Sequence, residues 1–238
     1  MIPSIVLLVL GVISSTIFIV SKVINYSLKT IIFKTIASLF FVALAILCFC
    51  LTGKDYFIFK LFTVIGLFFG MLGDIFLGFK YITTKKAQKV WILLGMFAFA
   101  LGHISYIIAL LVGFYVPGNA IFMIIPFTLP ILIISIYMLI AKKVGINFGK
   151  GMLLFGLFYL YCLTTMFSSS LSMAILYEFK NTTLVMFMCA AMFFAASDFM
   201  LTGNYFKPGQ RSKAYRAAYS ICYYIAQFAI AFAIFFLV

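Results

Sequence analysis

The chain has 238 residues, 67% of them hydrophobic and 9% charged, with a mean hydropathy of +1.28 and a formal net charge of +13. Soluble domains carry about 25% charged residues, so this composition excludes a water-soluble globular protein. The basic residues punctuate apolar runs instead of covering a polar surface, which removes nucleic acid as the partner that the charge would suggest.

A membrane-spanning helix needs about 20 apolar residues. Breaks at polar clusters predict eight such helices, at 3–24, 31–51, 57–79, 88–112, 120–141, 151–175, 182–203 and 214–238. The first opens on MIPSIVLLVLG, with no basic leader and no small-residue cleavage site, and is expected to be a retained span. The second carries Lys34 about one turn inside its start, where a lysine either snorkels to the surface or sits over a phosphate. The third contains FGMLGDIFLGF, with Asp74 among apolar residues, and the fourth holds the lone histidine, His103. Pro126 and Pro130 predict a kink in the fifth. The sixth has no charged residue, and the seventh repeats the oddity of the third in AASDFMLTGNYF, with Asp198. The eighth places Tyr219, Tyr223 and Gln227 four residues apart, a polar stripe on one helical face.

All connections are short, so the chain reads as a single all-α transmembrane domain over 1–238 with little outward surface for a protein partner. The first, third, fifth and seventh connections and their flanks carry 14 of the 17 basic residues, among them Lys85, Lys86, Lys142, Lys143, Lys150, Lys207 and Arg211. The positive-inside rule then puts these connections in the cytoplasm and both termini, including Val238, on the other side. The five cysteines, Cys48, Cys50, Cys162, Cys189 and Cys222, lie in apolar runs without metal-site spacing and read as buried thiols. No metal or organic cofactor is expected.

Only four acidic residues are present, Asp55, Asp74, Glu178 and Asp198, and two of them interrupt predicted spans. Counting from Lys80 and Lys207 at about 1.5 Å per residue, Asp74 and Asp198 share a layer roughly 7–13 Å below the cytoplasmic surface. Gly66 and Gly70 precede Asp74 at helical spacing, and Ala191 and Ala195 precede Asp198. Both acids therefore lie on small-residue faces that favour close helix packing and point into the bundle. Structural acids bonded across helix interfaces are one reading. Intramembrane carboxylates are, however, functional candidates by default, and a protonated acid beside an ionised one suits general acid–base chemistry. Lys34, His103, Tyr219, Tyr223 and Gln227 are the expected lining of the pocket around them, with His103 either packed or catalytic.

Lys34, GLFFGMLGDIFLG (66–78), GMFAFALGHISYIIAL (95–110), AASDFMLTGNYF (195–206) and YYIAQ (223–227) come in an order that resembles the YhhN, or lysoplasmalogenase, family of integral membrane hydrolases. The resemblance covers essentially the whole chain. Thr35 departs from the family's pattern, which often has Pro there. The resemblance implies an eight-helix enzyme that hydrolyses the vinyl ether bond of lysoplasmalogens, with Asp74 and Asp198 as the catalytic pair. Its products would be a fatty aldehyde and a glycerophospho-ethanolamine or -choline. The implied partners are a lysophospholipid-like amphiphile and membrane lipid, and the implied location is a bacterial cytoplasmic membrane. The same paired acids would also serve a small proton-coupled transporter or lipid flippase.

Overall fold

In the computed structural model the described residues are 2–146, 151–206 and 212–237. They form eight helices: α1 (Ile2–Ile24), α2 (Leu28–Leu51), α3 (Phe57–Phe79), α4 (Lys85–Gly113), α5 (Ala120–Lys143), α6 (Leu153–Leu176), α7 (Thr182–Phe206) and α8 (Lys213–Ala233). A single 3-10 turn, Ile234–Phe236, extends α8. All eight are long and apolar enough to cross a membrane. In hydrocarbon each backbone N–H and C=O must be satisfied within the protein, which an α-helix achieves along its own length. Lys150, Lys207, Arg211 and Val238, which enter the charge pattern above, lie outside the described residues.

Polar residues set where the helices begin. Thr30 Oγ1 accepts from Ser27 N–H at 3.2 Å, Asn181 Oδ1 accepts from Leu184 N–H at 3.1 Å, and Ser212 Oγ accepts from Tyr215 N–H at 3.1 Å. Each satisfies a donor that a helix terminus would otherwise leave open. The cap at Ser27 starts α2 three residues before the apolar run does. Lys34 therefore lies well inside the helix, not at its edge.

The strongest helix pairings are α1 with α2, α3 with α4, α5 with α6 and α7 with α8. α8 also packs on α1, α2 and α3, so the last helix closes the bundle against the first three. α5 is peripheral: it packs on α6 and buries Pro126, Pro130 and Ala141, while Ile124, Ile131, Leu132 and Leu139 face outward. It remains helical through both prolines.

Small residues bring α3 close to its neighbours. A Cβ on Gly66 would stand 2.3 Å from the Tyr106 ring on α4, and one on Gly70 would stand 2.8 Å from Gln227 Nε2 on α8. On α7 the buried face that leads to Asp198 is different from the one expected. It runs through Phe187, Ala191 and Phe194, while Ala195 is half-buried. The cysteines also divide: Cys48 and Cys162 are buried, whereas Cys50 and Cys189 are exposed and Cys222 is intermediate. A thiol is apolar enough to face lipid, so an apolar run does not separate core cysteines from outer ones.

Candidate functional site

Asp74 and Asp198 are 1% and 5% exposed, and both line one cavity of about 840 Å³ including its mouth. The wall between and around the acids is apolar, with Leu77, Met96, Phe99 and Leu201 among the lining residues. The cavity extends from the acids towards the helix ends that carry Tyr26, Tyr81 and Phe206, at the α1–α2, α3–α4 and α7–α8 connections.

The two carboxylates have unequal surroundings. Asp74 Oδ1 pairs with Lys34 Nζ at 2.8 Å. Its Oδ2 accepts from Ser38 Oγ at 2.6 Å and from Tyr223 OH at 2.7 Å. Lys34 and Ser38 are four apart on α2 and so share a face, which is how one helix supplies two of the three donors. A hydrogen-bond chain continues behind Tyr223. Gln227 Nε2 donates to Tyr223 OH at 2.8 Å, and Tyr106 OH donates to Gln227 Oε1 at 3.3 Å. Gly70 leaves the room that the Gln227 amide occupies.

Asp198 has one side-chain donor among the described residues, Tyr159 OH on α6, which bonds its Oδ2. His103 Nε2 stands 3.4 Å from the same phenol, and His103 Nδ1 is buried without a partner among the described residues. Ser197 Oγ donates to the Tyr219 carbonyl at 2.8 Å and ties α7 to α8 beside Asp198.

The residues singled out in the sequence are thus distributed over three places. Lys34, Tyr223 and Gln227 belong to the Asp74 network, and His103 reaches Asp198 through Tyr159. Tyr219 joins neither network: its OH has no partner among the described residues, and its ring lies under Lys22 Nζ at 4.1 Å from the centroid. Tyr159, Ser38 and Tyr106 contribute to the two networks without having stood out in the sequence. For Ser38 the signal was its spacing from Lys34. Tyr159 had none, because Tyr161 two residues on looks the same in sequence, yet its OH donates to the Phe127 carbonyl at 3.0 Å on another face. Among the described residues no three His, Cys, Asp or Glu side chains come together as a metal site would need.

A carboxylate has about four acceptor sites. Three are filled at Asp74, one of them by an ammonium, whereas Asp198 has a single neutral donor beside an apolar wall. Two carboxyl groups so unequally surrounded on one cavity can divide acid and base roles towards a bound molecule.

The YhhN family model matches residues 29–234 of the chain, which leaves α1 outside the match. No curated protein and no solved structure matches it.

Proposed function

The chain belongs to the YhhN family, and from that premise we propose that it hydrolyses the vinyl ether bond of lysoplasmalogens, with Asp198 as proton donor and Asp74 as the ionised partner. The observation that carries this reading is the inequality of two carboxylates on one apolar cavity. A vinyl ether is cleaved by protonation of its β-carbon, which leaves an oxocarbenium centre at the α-carbon. Asp198 supplies that proton. Asp74 stabilises the cation and accepts a proton from the water that adds to the α-carbon. The hemiacetal then collapses: the bond from the α-carbon to the glycerol oxygen breaks, and the hydroxyl proton passes to that oxygen. The products are a fatty aldehyde and the glycerophospho-base, and the proton that Asp74 took from the water is returned to Asp198, which restores both groups. Glycoside hydrolysis uses two carboxyl groups around a similar cation.

Tyr159 and His103 act as positioning residues in this scheme. Tyr159 O–H donates to Asp198 Oδ2, which leaves Oδ1 to carry the transferable proton, and His103 Nε2, 3.4 Å from the phenol oxygen, holds Tyr159 in place.

The test is chemical. Purified protein given lysoplasmalogen and an ester-linked lysophospholipid of the same chain length should release aldehyde from the first and little fatty acid from the second. No turnover of either, with proton-dependent lipid or solute flux in liposomes, would replace the hydrolase by a transporter.

The reading also has an orientation. The whole chain acts as one domain in a bacterial cytoplasmic membrane, with the basic connections inside and both termini outside. A reporter that works only in the cytoplasm should be active when fused after Lys86 and silent when fused after the C-terminal residue. The opposite pattern would invert the protein and turn the mouth of the cavity outward.

A further inference from the structure

Towards its mouth the cavity is lined by Lys22 and tyrosines, among them Tyr26, Tyr81, Tyr205 and Tyr219, while Lys80 and Arg216 stand beside these lining residues without lining it themselves. Lys22 Nζ on α1 donates to Ser220 Oγ at 2.7 Å and lies over the Tyr219 ring. Lys80 Nζ, just past the end of α3, is 3.1 Å from the centroid of the Tyr205 ring and 4.8 Å from that of Tyr81. Arg216 is one turn before Ser220 on α8, and its Nε is buried with no hydrogen-bond partner among the described residues. Lys34, Lys80 and Arg216 all lie within electrostatic reach of Lys22, as does Asp74, which is itself paired with Lys34.

Among the described residues, no acid forms an ion pair with Lys22, Lys80 or Arg216. The ion pairs among the described residues are Lys34 with Asp74, inside the site, and Lys180 with Glu178. Of the other two acids, Asp55 precedes α3 at the opposite end of the bundle, and Asp198 lies deeper in the cavity with Tyr159 as its donor. Cations gathered beside a low-dielectric interior without a counter-ion oppose one another and are costly. Burial and the charge of Lys34 bring Lys80, outside the spans, down to about 7. Aromatic faces hold the two ammonium groups in place, but they bring no negative charge. A bound anion would supply that charge, and the cavity leads from Lys22 to the two acids.

We propose that Lys22, with the charges of Lys80 and Arg216 beside it, forms the headgroup subsite of the cavity, and that it selects single-chain amphiphiles whose phosphate headgroup carries net negative charge. A phosphomonoester or a phosphoglycerol fits this requirement. A phosphocholine or phosphoethanolamine brings its own cation among three others and gains less. Lys22 sits on α1, outside the residues matched by the family model, so this selectivity is a property of this chain's own first helix as well as of the shared fold. The proposal rests on reading the cavity as a lysolipid hydrolase site, and binding of uncleavable lipids tests it apart from that reading.

The experiment uses full-length protein in a non-ionic detergent and 1-O-octyl glycerol ethers, which lack the vinyl bond, bearing phosphate, phosphoglycerol or phosphocholine. Affinities are measured by calorimetry at fixed salt, with inorganic phosphate alongside. The phosphate and phosphoglycerol lipids should bind about tenfold more tightly than the phosphocholine lipid, which corresponds to about 1.4 kcal/mol. Lys22→Gln, Lys80→Gln and Arg216→Gln should each narrow that ratio severalfold, and a variant that elutes as a single species but keeps the full ratio counts against the residue changed. Because Lys22→Gln removes a buried cation, Lys22→Arg is the control for folding and should preserve the preference. Equal affinity for the three lipids, or tighter binding of phosphocholine, would overturn the proposal. So would inorganic phosphate binding as tightly as the lipids, since the site would then serve the free anion. Aldehyde release with no headgroup preference would remove the subsite and leave the hydrolase. A preference without aldehyde release would do the reverse.

Discussion

Asp198→Asn should lower kcat by about 10³-fold, inside the range of about 10²–10⁴ associated with a positioned acid–base group. The variant isolates the chemistry. An Asn carbonyl still accepts the Tyr159 hydrogen bond that reaches Asp198 Oδ2, so the wall of the cavity keeps its shape while the transferable proton is gone. Asp74→Asn should cost about as much in kcat for another reason: the negative charge facing the developing cation is lost. Since the two groups act on one transition state, the double variant should be much less impaired than the product of the single losses. The measurement is turnover on variants that elute as a single species. Near wild-type rates in Asp198→Asn would make that carboxyl structural.

Lys34→Met should be the most destabilising single change at the site. It leaves Asp74 buried with two neutral donors, Ser38 and Tyr223, and no cation. Removing one member of a buried ion pair costs about 3–5 kcal/mol, because the other charge is left without compensation. Thermal unfolding in detergent should therefore show a large fall in Tm for Lys34→Met. Adding Asp74→Asn to it should recover much of that fall, since a neutral amide no longer needs the ammonium. Activity should stay lost in the pair. A Lys34→Met protein with unchanged Tm would mean that Lys34 reaches solvent and not Asp74.

The eight helices were legible because span length is imposed by the bilayer, and uninterrupted apolar runs of that length have few other solutions. That the two acids interrupting the spans would point into the bundle was also legible, and both are buried on one cavity. What each acid touches was not. Lys34 looked like an edge residue because the apolar run starts near it, whereas the Ser27 cap begins α2 earlier and places Lys34 inside. The stripe Tyr219, Tyr223, Gln227 is real as a helical face, but it spans two environments: Tyr223 and Gln227 serve Asp74, while Tyr219 lies with Lys22. Helical spacing alone does not say where along a stripe one neighbour ends and the next begins.

One regularity emerges only when partners are known. Each aspartate is held from the preceding helix, Asp74 on α3 by Lys34 on α2 and Asp198 on α7 by Tyr159 on α6. The aspartates are 124 residues apart and these partners 125. The two halves of the chain thus present the same geometry with different chemistry, an ammonium at one acid and a phenol at the other. In the proposed mechanism this difference is what assigns the two carboxyl groups their separate roles.

The most direct test of the mechanism is hydrolysis of lysoplasmalogen in D₂O, with the released aldehyde trapped by reduction as it forms and analysed by mass spectrometry. Protonation of the vinyl ether at its β-carbon should place one deuterium on the carbon next to the former carbonyl, and Asp198→Asn should abolish formation of this product. Aldehyde without that deuterium, or labelled aldehyde formed at an undiminished rate by Asp198→Asn, would contradict proton delivery by Asp198.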